Sequence, residues 1–194
     1  PKIFYNQGTS GRRTAILHRE IMSDIIQSAL NRYQSYLSAE DFSKLIEVSS
    51  QDAPLAIRAN LLKNANPQQN LLKWQNKYGW RTDSVPFWQY AVQILQAEIA
   101  PSQTIEHQFG HYYIQDAAST LPVALFNPIN KNHLVLDMAA SPGGKTTQLI
   151  DRSLDRAFII ANDSSTSRLS ALRVVSQNWG MANGMISNYA AEKI

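Results

Sequence analysis

The stretch from His133 to Thr147, HLVLDMAASPGGKTT, constrains the fold more than any other part of the chain. A short apolar run ends at Asp137, small residues with one proline and two glycines follow, and a helical pattern begins near Lys145. A buried strand, a tight turn and a helix in this order form a pocket at the carboxyl end of a strand in an open α/β sheet. The sequence therefore predicts a ligand site at this turn.

The residues of the turn favour a ligand that carries an anionic group. Two alanines and two glycines have little or no side chain, so a ligand can approach the backbone closely. The free N–H groups of the first helical turn favour a carboxylate or a phosphate. The predicted contacts with the ligand are made by Ala139, Ala140, Ser141, Pro142, Gly143, Gly144 and Lys145.

Asp163 is the second predicted contact with the ligand. The alternation of strand, helix, strand, helix and strand after residue 133 is half of a doubly wound sheet. Asp163 ends the second strand, 19 residues after Gly144, where a carboxylate accepts hydrogen bonds from two ribose hydroxyls. By itself it also suits a helix cap. A nucleoside with a charged tail fits both contacts, and S-adenosylmethionine, NAD and ATP belong to this class.

The spacing within the turn separates these ligands. A phosphate-binding P-loop needs G-x-x-x-x-G-K-[ST], and Gly144-Lys145-Thr146 matches its end, but Ala139 occupies the position of the first glycine. The dinucleotide pattern G-x-G-x-x-G is absent. We therefore predict S-adenosylmethionine as the cofactor, with its methionine carboxylate near the helix and its ribose on Asp163.

The N-terminal segment, residues 1–53, is predicted to be helical. An apolar period of 3.6 residues extends from residue 13 to residue 37, and Ser38 then has the position of an N-cap for a second helix. Residues 1–81 hold 11 Lys and Arg against 6 Asp and Glu, which indicates either a polyanionic partner such as nucleic acid or simply a basic, solvated surface.

Residues 54–108 predict a small α+β module of the ferredoxin-like or RNA-recognition type. A strand is followed by a helix that ends at Gly79 and by two further strands. Arg58, Trp80 or Trp88 would face RNA bases if they lie on an open face of this sheet. In the alternative interpretation both tryptophans belong to the core. Residues 109–194 are then the first half of a Rossmann-like domain, and the fold class is α/β.

Four motifs of the chain resemble those of the NOL1/NOP2/Sun family of RNA cytosine-C5 methyltransferases, in the same order and spacing. They are Leu136 to Gln148, Gly110 to Pro122, Ala161 to Gly180, and Ile57 to Lys63. The first and third resemble motifs that bind S-adenosylmethionine, and the fourth resembles the entry to the RNA-binding front domain. The likeness is greatest to the bacterial ribosomal RNA members, which implies rRNA as the partner and a cytoplasmic location.

The resemblance implies a cysteine thiolate that adds to C6 of cytosine before C5 takes the methyl group. The 194 residues contain no cysteine. We therefore expect an N-terminal portion of such an enzyme that is not competent for transfer alone, with no catalytic residue and no metal site. The alternative is a non-catalytic RNA-binding or scaffold remnant of the family. The family's acidic residue near adenine is replaced by Ala190.

The partial sheet is also predicted to leave one edge open. In this fold later strands pair with the far side of the first strand, here Leu134 to Met138. An unpaired apolar edge is a site of association with other chains. We therefore expect a second copy, another partner chain or a rearranged front segment of this chain to cover it.

Overall fold

The computed structural model describes residues 28–49, 55–126 and 128–194, and the chain divides between residues 53 and 54 into two compact units. The first unit contains helix α1 (Ala39–Ser49). Its N-cap is Ser38, whose Oγ accepts a hydrogen bond from the Asp41 amide at 3.1 Å, as predicted. The predicted helix over residues 13–37 lies mostly outside the described residues. Within them, helical residues 28–31 are followed by turns at 32–36.

The second unit begins with an antiparallel sheet of four strands. Its elements are β1 (Leu55–Ala59), α2 (Pro67–Tyr78), β2 (Trp80–Ser84), β3 (Ala91–Ala97), α3 (Ile105–Gln108) and β4 (Tyr112–Asp116). The strand order is β2-β3-β1-β4. This β-α-β-β-α-β arrangement is that of the ferredoxin-like module that the sequence predicted. Its fourth strand, β4, lies beyond residue 108, where the sequence analysis ended the module.

Helix α2 covers one face of this sheet. It starts at Pro67 and ends at Gly79, whose φ of +62° is the left-handed conformation that glycine favours at a helix end. Trp74 of α2 packs against Ile57 and Tyr112 of the sheet in one apolar cluster. The local signals for this helix, a proline at its start and a glycine after its end, were sufficient to predict it.

The other face of the sheet is also covered, and this corrects a prediction from the sequence. Arg58 is 0% exposed, Trp80 6% and Trp88 7%, so none of them faces bases. The apolar alternation of β1 indicated a half-buried strand, but the following domain packs on the second face. The interpretation of both tryptophans as core residues is confirmed.

A parallel sheet of three strands forms the rest of the second unit. The elements are α4 (Leu121–Ala124), β5 (Leu134–Asp137), α5 (Gly144–Ser153), β6 (Phe158–Asn162), α6 (Leu169–Trp179) and β7 (Gly184–Ser187). The strand order is β5-β6-β7, with each strand parallel to its neighbour. This is the first half of a Rossmann-like sheet, as the sequence predicted.

A buried ion pair joins the antiparallel sheet of this unit to helix α5. Arg58 of β1 donates through Nη1 to the Asp151 carboxylate of α5, and both side chains are fully buried. The same guanidinium donates through Nη2 to Thr147 Oγ1 at 2.6 Å and to the Gly144 carbonyl at 3.1 Å. Asp151 Oδ1 also accepts from the Leu61 amide at 3.0 Å. The network ties β1 to the first turn of α5 and to its last turn.

Strand β5 is at the edge of the parallel sheet in the part of the chain that the structure describes. Leu134 is 68% exposed and Met138 48%. Phe126, Pro128 and the strand residues line an adjoining apolar groove of about 320 Å³.

None of the helices in the described part of the chain has the length and the apolar character that a membrane-spanning helix needs.

Replacing Arg58 by alanine is expected to lower the free energy of unfolding by about 3–5 kcal/mol, because Asp151 then stays buried without its counter-charge. Urea unfolding followed by tryptophan fluorescence measures the loss. Arg173→Ala, on the exposed face of α6, is the control and should change stability by less than about 0.5 kcal/mol. The double variant R58M/D151L should lower the free energy of unfolding by less than R58A does, since it leaves no buried charge without a counter-charge. Equal stability of R58A and R173A would contradict the structural role of the pair.

The open edge of β5 predicts that the chain self-associates. We expect sedimentation velocity to show a concentration-dependent larger species, because an exposed apolar strand edge pairs with other chains. Leu134→Lys places a charge on this edge and should shift the distribution toward monomer. A monomer at every concentration would count against the expectation.

Candidate functional site

A cavity of about 290 Å³ lies between β4 and the turn that follows β5. It is at the carboxyl end of β5, where ligands bind in open α/β sheets. The residues that line it are Tyr113, Ile114, Gln115, Asp116 and Ser119 on one side, and Ala139, Ala140, Ser141, Pro142, Gly144 and Lys145 on the other. Its volume is at the small end of the range of roughly 300–1,000 Å³ that is usual for ligand pockets.

Backbone and side-chain hydrogen bonds hold the turn in place. The Ala140 amide donates to the Asn162 carbonyl of β6 at 2.8 Å. Asp137, at the end of β5, accepts from Thr146 Oγ1 of α5 at 2.7 Å. The turn is thus fixed to both neighbouring strands and to its own helix before any ligand binds.

Gly143 makes the tight approach of the turn to α6 possible. Its φ of +121° is rarely adopted by residues with a side chain. A Cβ atom added there would lie 2.7 Å from Val175 Cγ1 of α6. Gly143 therefore contributes the shape of the turn, whereas the other predicted residues from Ala139 to Lys145 line the cavity.

Gly144 brings the start of α5 close to β4. A Cβ atom on Gly144 would lie 3.2 Å from Tyr113 Cε1 and 3.3 Å from Gln115 Oε1, distances at which the neighbours must shift. The first turn of α5 has N–H groups without helical partners. Backbone of this kind, in a cavity, is suited to an anionic group.

Asp163 is placed beneath the turn and is not among the residues that line the cavity. It is 2% exposed. Its Oδ2 accepts from the Ser141 amide at 3.1 Å, and its Oδ1 accepts from the Ser165 amide at 3.0 Å. Arg168 Nη2 lies 3.5 Å from Oδ2. In the structure this carboxylate orders the turn and the start of the next helical segment, and its contact with a ribose stays a prediction.

The side chains of β4 are site residues that the sequence analysis did not name. Tyr113 and Gln115 lie on the face of the sheet that meets α5, and Tyr112 and Ile114 lie on the face that meets α2. The alternation of strand residues was the available signal. It could not be used, because nothing local to β4 shows that α5 packs on that face.

The buried pair behind the cavity has shifted pKa values. Burial raises the pKa of Asp151 to about 7, and this rise is opposed by the Arg58 charge and by N–H groups of Leu61 and Trp179. Burial also lowers the pKa of Arg58. The guanidinium lies 4.8 Å from the centre of the Trp179 ring, which adds a favourable cation–π contact.

The backbone of the cavity wall fits a ligand that carries a carboxylate. A Cβ atom on Gly144 would fill the space beside Tyr113 and Gln115, and the start of α5 favours a negatively charged group. Gln115 Nε2, close to this position, is one of five buried polar atoms of the described residues that have no hydrogen-bond partner.

Two family models match the chain. Residues 27–117 match the N-terminal domain of 16S rRNA methyltransferase RsmF, and residues 123–194 match 16S rRNA methyltransferase RsmB/F. The chain is thus similar to RsmB/F methyltransferases over both of these segments. The resemblance to Sun-type RNA methyltransferases that the sequence motifs indicated is confirmed.

Curated relatives agree with this family. Ribosomal RNA small subunit methyltransferase F of Shewanella sediminis (strain HAW-EB3) is 32% identical over 176 residues, which cover 89% of this chain and 36% of that protein. The protein of the same description from Pectobacterium carotovorum subsp. carotovorum (strain PC1) is 34% identical over 176 residues, which cover 88% of this chain and 34% of that protein. The chain thus spans about a third of the length of these relatives.

Solved structures share the fold. A methyltransferase homolog protein from Pyrococcus horikoshii superposes with a TM-score of 0.73 at 29% identity, over 80% of this chain and 50% of that one. NSun6 from Pyrococcus horikoshii with SFG has a TM-score of 0.73 at 16% identity, and the likeness covers 84% of this chain and 65% of that one. The second likeness concerns the fold alone.

Gly143→Ala is expected to lower the free energy of unfolding by about 1–3 kcal/mol, because alanine must adopt a strained φ there. Its Cβ would also press on Val175. Gly144→Ala is the comparison variant, because Gly144 does not have a positive φ and its Cβ would meet the Tyr113 and Gln115 side chains at 3.2 and 3.3 Å, so its loss of stability should be smaller. Thermal unfolding of both variants measures the difference. Equal unfolding midpoints would show that the turn does not depend on the Gly143 conformation.

Proposed function

We propose that this chain is the N-terminal portion of an S-adenosylmethionine-dependent rRNA cytosine-C5 methyltransferase. The observation that carries the proposal is the cavity between β4 and the Ala139–Lys145 turn, in a chain that is similar to RsmB/F methyltransferases. S-adenosylmethionine supplies the methyl group of the reaction. The residues of this chain bind and orient that molecule.

The proposed contacts follow the predicted site residues. The backbone of the turn from Ala139 to Lys145 binds the methionine end, where the first turn of α5 favours negative charge. Asp163 is proposed to bind the ribose, and the structure supports at least an indirect role, since its carboxylate holds Ser141. Lys145, partly exposed in the cavity wall, is proposed to assist the turn or to contact RNA phosphates.

RNA is the proposed second partner. The family acts on 16S rRNA, and the front half of the chain is basic. Since Arg58, Trp80 and Trp88 are buried, the proposed contact with RNA is made by exposed residues instead of these three. Ribosomal RNA as substrate would place the protein in the cytoplasm, as expected from the sequence.

The nucleophile is proposed to lie outside these 194 residues. The reaction that the family resemblance implies needs a cysteine thiolate, and none is present. The chain therefore contributes the front module and part of the cofactor site. The same observation favours a second candidate function, a scaffold that binds RNA and performs no transfer.

Isothermal titration of the full chain with S-adenosylmethionine tests the proposal. We expect saturable binding with one ligand per chain, and weaker binding to the Asp163→Ala variant. ATP and NAD are the control ligands, and tighter binding of either would contradict the cofactor assignment. Arg173→Ala, at an exposed residue that does not line the cavity, should bind like the wild type.

Titration with 16S rRNA fragments separates the two candidate functions. RNA binding together with S-adenosylmethionine binding supports the methyltransferase portion. RNA binding without cofactor binding supports the scaffold. Binding of neither ligand would overturn both proposals.

A further inference from the structure

A second cavity, of about 640 Å³, lies at the end of α5 that is remote from the Ala139–Lys145 turn. It is enclosed by the turn between β2 and β3, by residues before β5 and by the end of α5, and we call it the β2–β3 cavity. It shares no lining residue with the cavity at the ligand turn. Arg152, in its wall, follows Lys145 by seven residues, which is about 10 Å along a helix axis. The two cavities are therefore separate sites.

The turn between β2 and β3 presents an aromatic ring to this cavity. Buried Trp88 fixes the turn, since its amide donates to the Val85 carbonyl at 3.1 Å and its carbonyl accepts from the Ala91 amide at 3.0 Å. Phe87, the residue before it, lines the cavity and is 37% exposed. Among the described residues, no other aromatic ring lies against Phe87. Its ring is thus available for contact with a planar group of a ligand.

Arg152 gives the same cavity a positive charge. Its Nη2 donates to the Phe126 carbonyl, and its guanidinium lies 5.8 Å from the centre of the Trp88 ring. No carboxylate in the described part of the chain forms an ion pair with it. Asp151, which also lines the cavity, is fully buried and already paired with Arg58. The charge of Arg152 is therefore left for an anionic group, and a guanidinium has five N–H donors.

An aromatic ring beside an unneutralised guanidinium suits a nucleotide. Unpaired bases of single-stranded RNA stack on aromatic side chains, and arginine binds phosphate through two parallel N–H groups. The cavity volume is within the range of roughly 300–1,000 Å³ that is usual for ligand sites. An acidic peptide would also meet the charge. The basic front half of the chain and its similarity to 16S rRNA methyltransferases favour RNA over such a peptide.

We propose that the β2–β3 cavity binds one unpaired nucleotide of single-stranded RNA, with its base against Phe87 and its phosphate on Arg152. The inference rests on RNA as the partner in the proposed function. The nucleotide bound here is distinct from any nucleotide that receives a methyl group, because the cavity is at the opposite end of α5 from the ligand turn. The cavity therefore fixes the position of the RNA on the front module.

Substitutions of Phe87 test the contact with the base. The probes are fluorescein-labelled oligouridylate and oligoadenylate, titrated with the full chain and followed by fluorescence anisotropy. Phe87→Ala should weaken binding roughly 5- to 150-fold, the effect of losing one stacked base. Phe87→Trp keeps a ring and should bind like the wild type. Phe109→Ala is the matched control, since Phe109 is an exposed phenylalanine that does not line the cavity, and it should leave binding unchanged.

Substitutions of Arg152 test the contact with the phosphate. Arg152→Ala should reduce the slope of log Kd against log salt concentration by about 0.7, because one phosphate contact on a single strand is lost. Arg152→Lys keeps the charge and should keep the slope. Arg173→Ala, at an exposed arginine of α6, is the matched control and should also keep it. An equal slope for Arg152→Ala and Arg173→Ala would overturn the phosphate contact.

Ultraviolet crosslinking followed by mass spectrometry locates the bound nucleotide. The adduct is expected in the segment from Phe87 to Tyr90, which lines the cavity. S-adenosylmethionine should bind equally well to the wild type, Phe87→Ala and Arg152→Lys, because the two cavities are separate. Weaker binding of S-adenosylmethionine to Phe87→Ala would contradict this separation.

The outcomes distinguish this proposal from the proposed function. If the wild type binds the probes, and Phe87→Ala binds them as tightly, the cavity is not a nucleotide site and RNA stands as a partner. If an acidic, proline-rich peptide binds in a Phe87-dependent way and displaces no RNA, the occupant is a peptide and the inference is refuted. If the wild type binds neither probe, the proposed RNA partner fails, this inference fails with it, and S-adenosylmethionine binding still tests the cofactor site.

Discussion

The buried ion pair between Arg58 and Asp151 is the contact on which the arrangement of the second unit depends. Arg58 comes from the antiparallel sheet and Asp151 from the helix that follows the ligand turn. Two fully buried charges are tolerated only when each is paired and its remaining hydrogen-bonding atoms find partners. Thr147, Gly144, Leu61 and Trp179 supply most of these partners, which restricts the position of α5 against β1.

This restriction links the front module to the ligand turn. The Gly144 carbonyl, which accepts from Arg58, belongs to the residue at which α5 begins. The same residue lies against Tyr113 and Gln115 of β4. A module that resembles an RNA-recognition fold thus forms one wall of the cavity, and the face that such folds often leave open packs against α5.

The sequence predicted the elements whose signals are local. Gly79 ends its helix, Ser38 caps another, and the Ala139–Lys145 turn lies between a parallel strand and a helix, as expected. The burial of Arg58 was not predictable, because it depends on Asp151, 93 residues later in the chain. Arginine is almost always exposed unless it is paired, so Arg58 is predicted to be a surface residue as long as its buried partner is not known.

In the candidate site, too, features with a local sequence signal were predicted, and features that depend on distant contacts were not. The turn residues were identified from their small size and spacing, but Tyr113 and Gln115 were missed because their place in the cavity wall depends on two non-local contacts. One is the pairing of β4 with β1, and the other is the packing of α5 on that sheet. For Asp163, the spacing in the sequence indicated a contact with a ribose. In the structure its carboxylate accepts hydrogen bonds from the Ser141 and Ser165 amides, which the spacing did not indicate.

The register of the pairing between β1 and β4 also determines which side chains of β4 face α5. Side chains alternate between the two faces of a strand, so a shift of one residue in the pairing exchanges every inward and outward position. Such a shift would turn Tyr113 and Gln115, which lie against the start of α5, toward α2. An insertion or deletion of one residue in β4 would therefore change the side chains beside the start of α5 while every residue of the Ala139–Lys145 turn stayed the same.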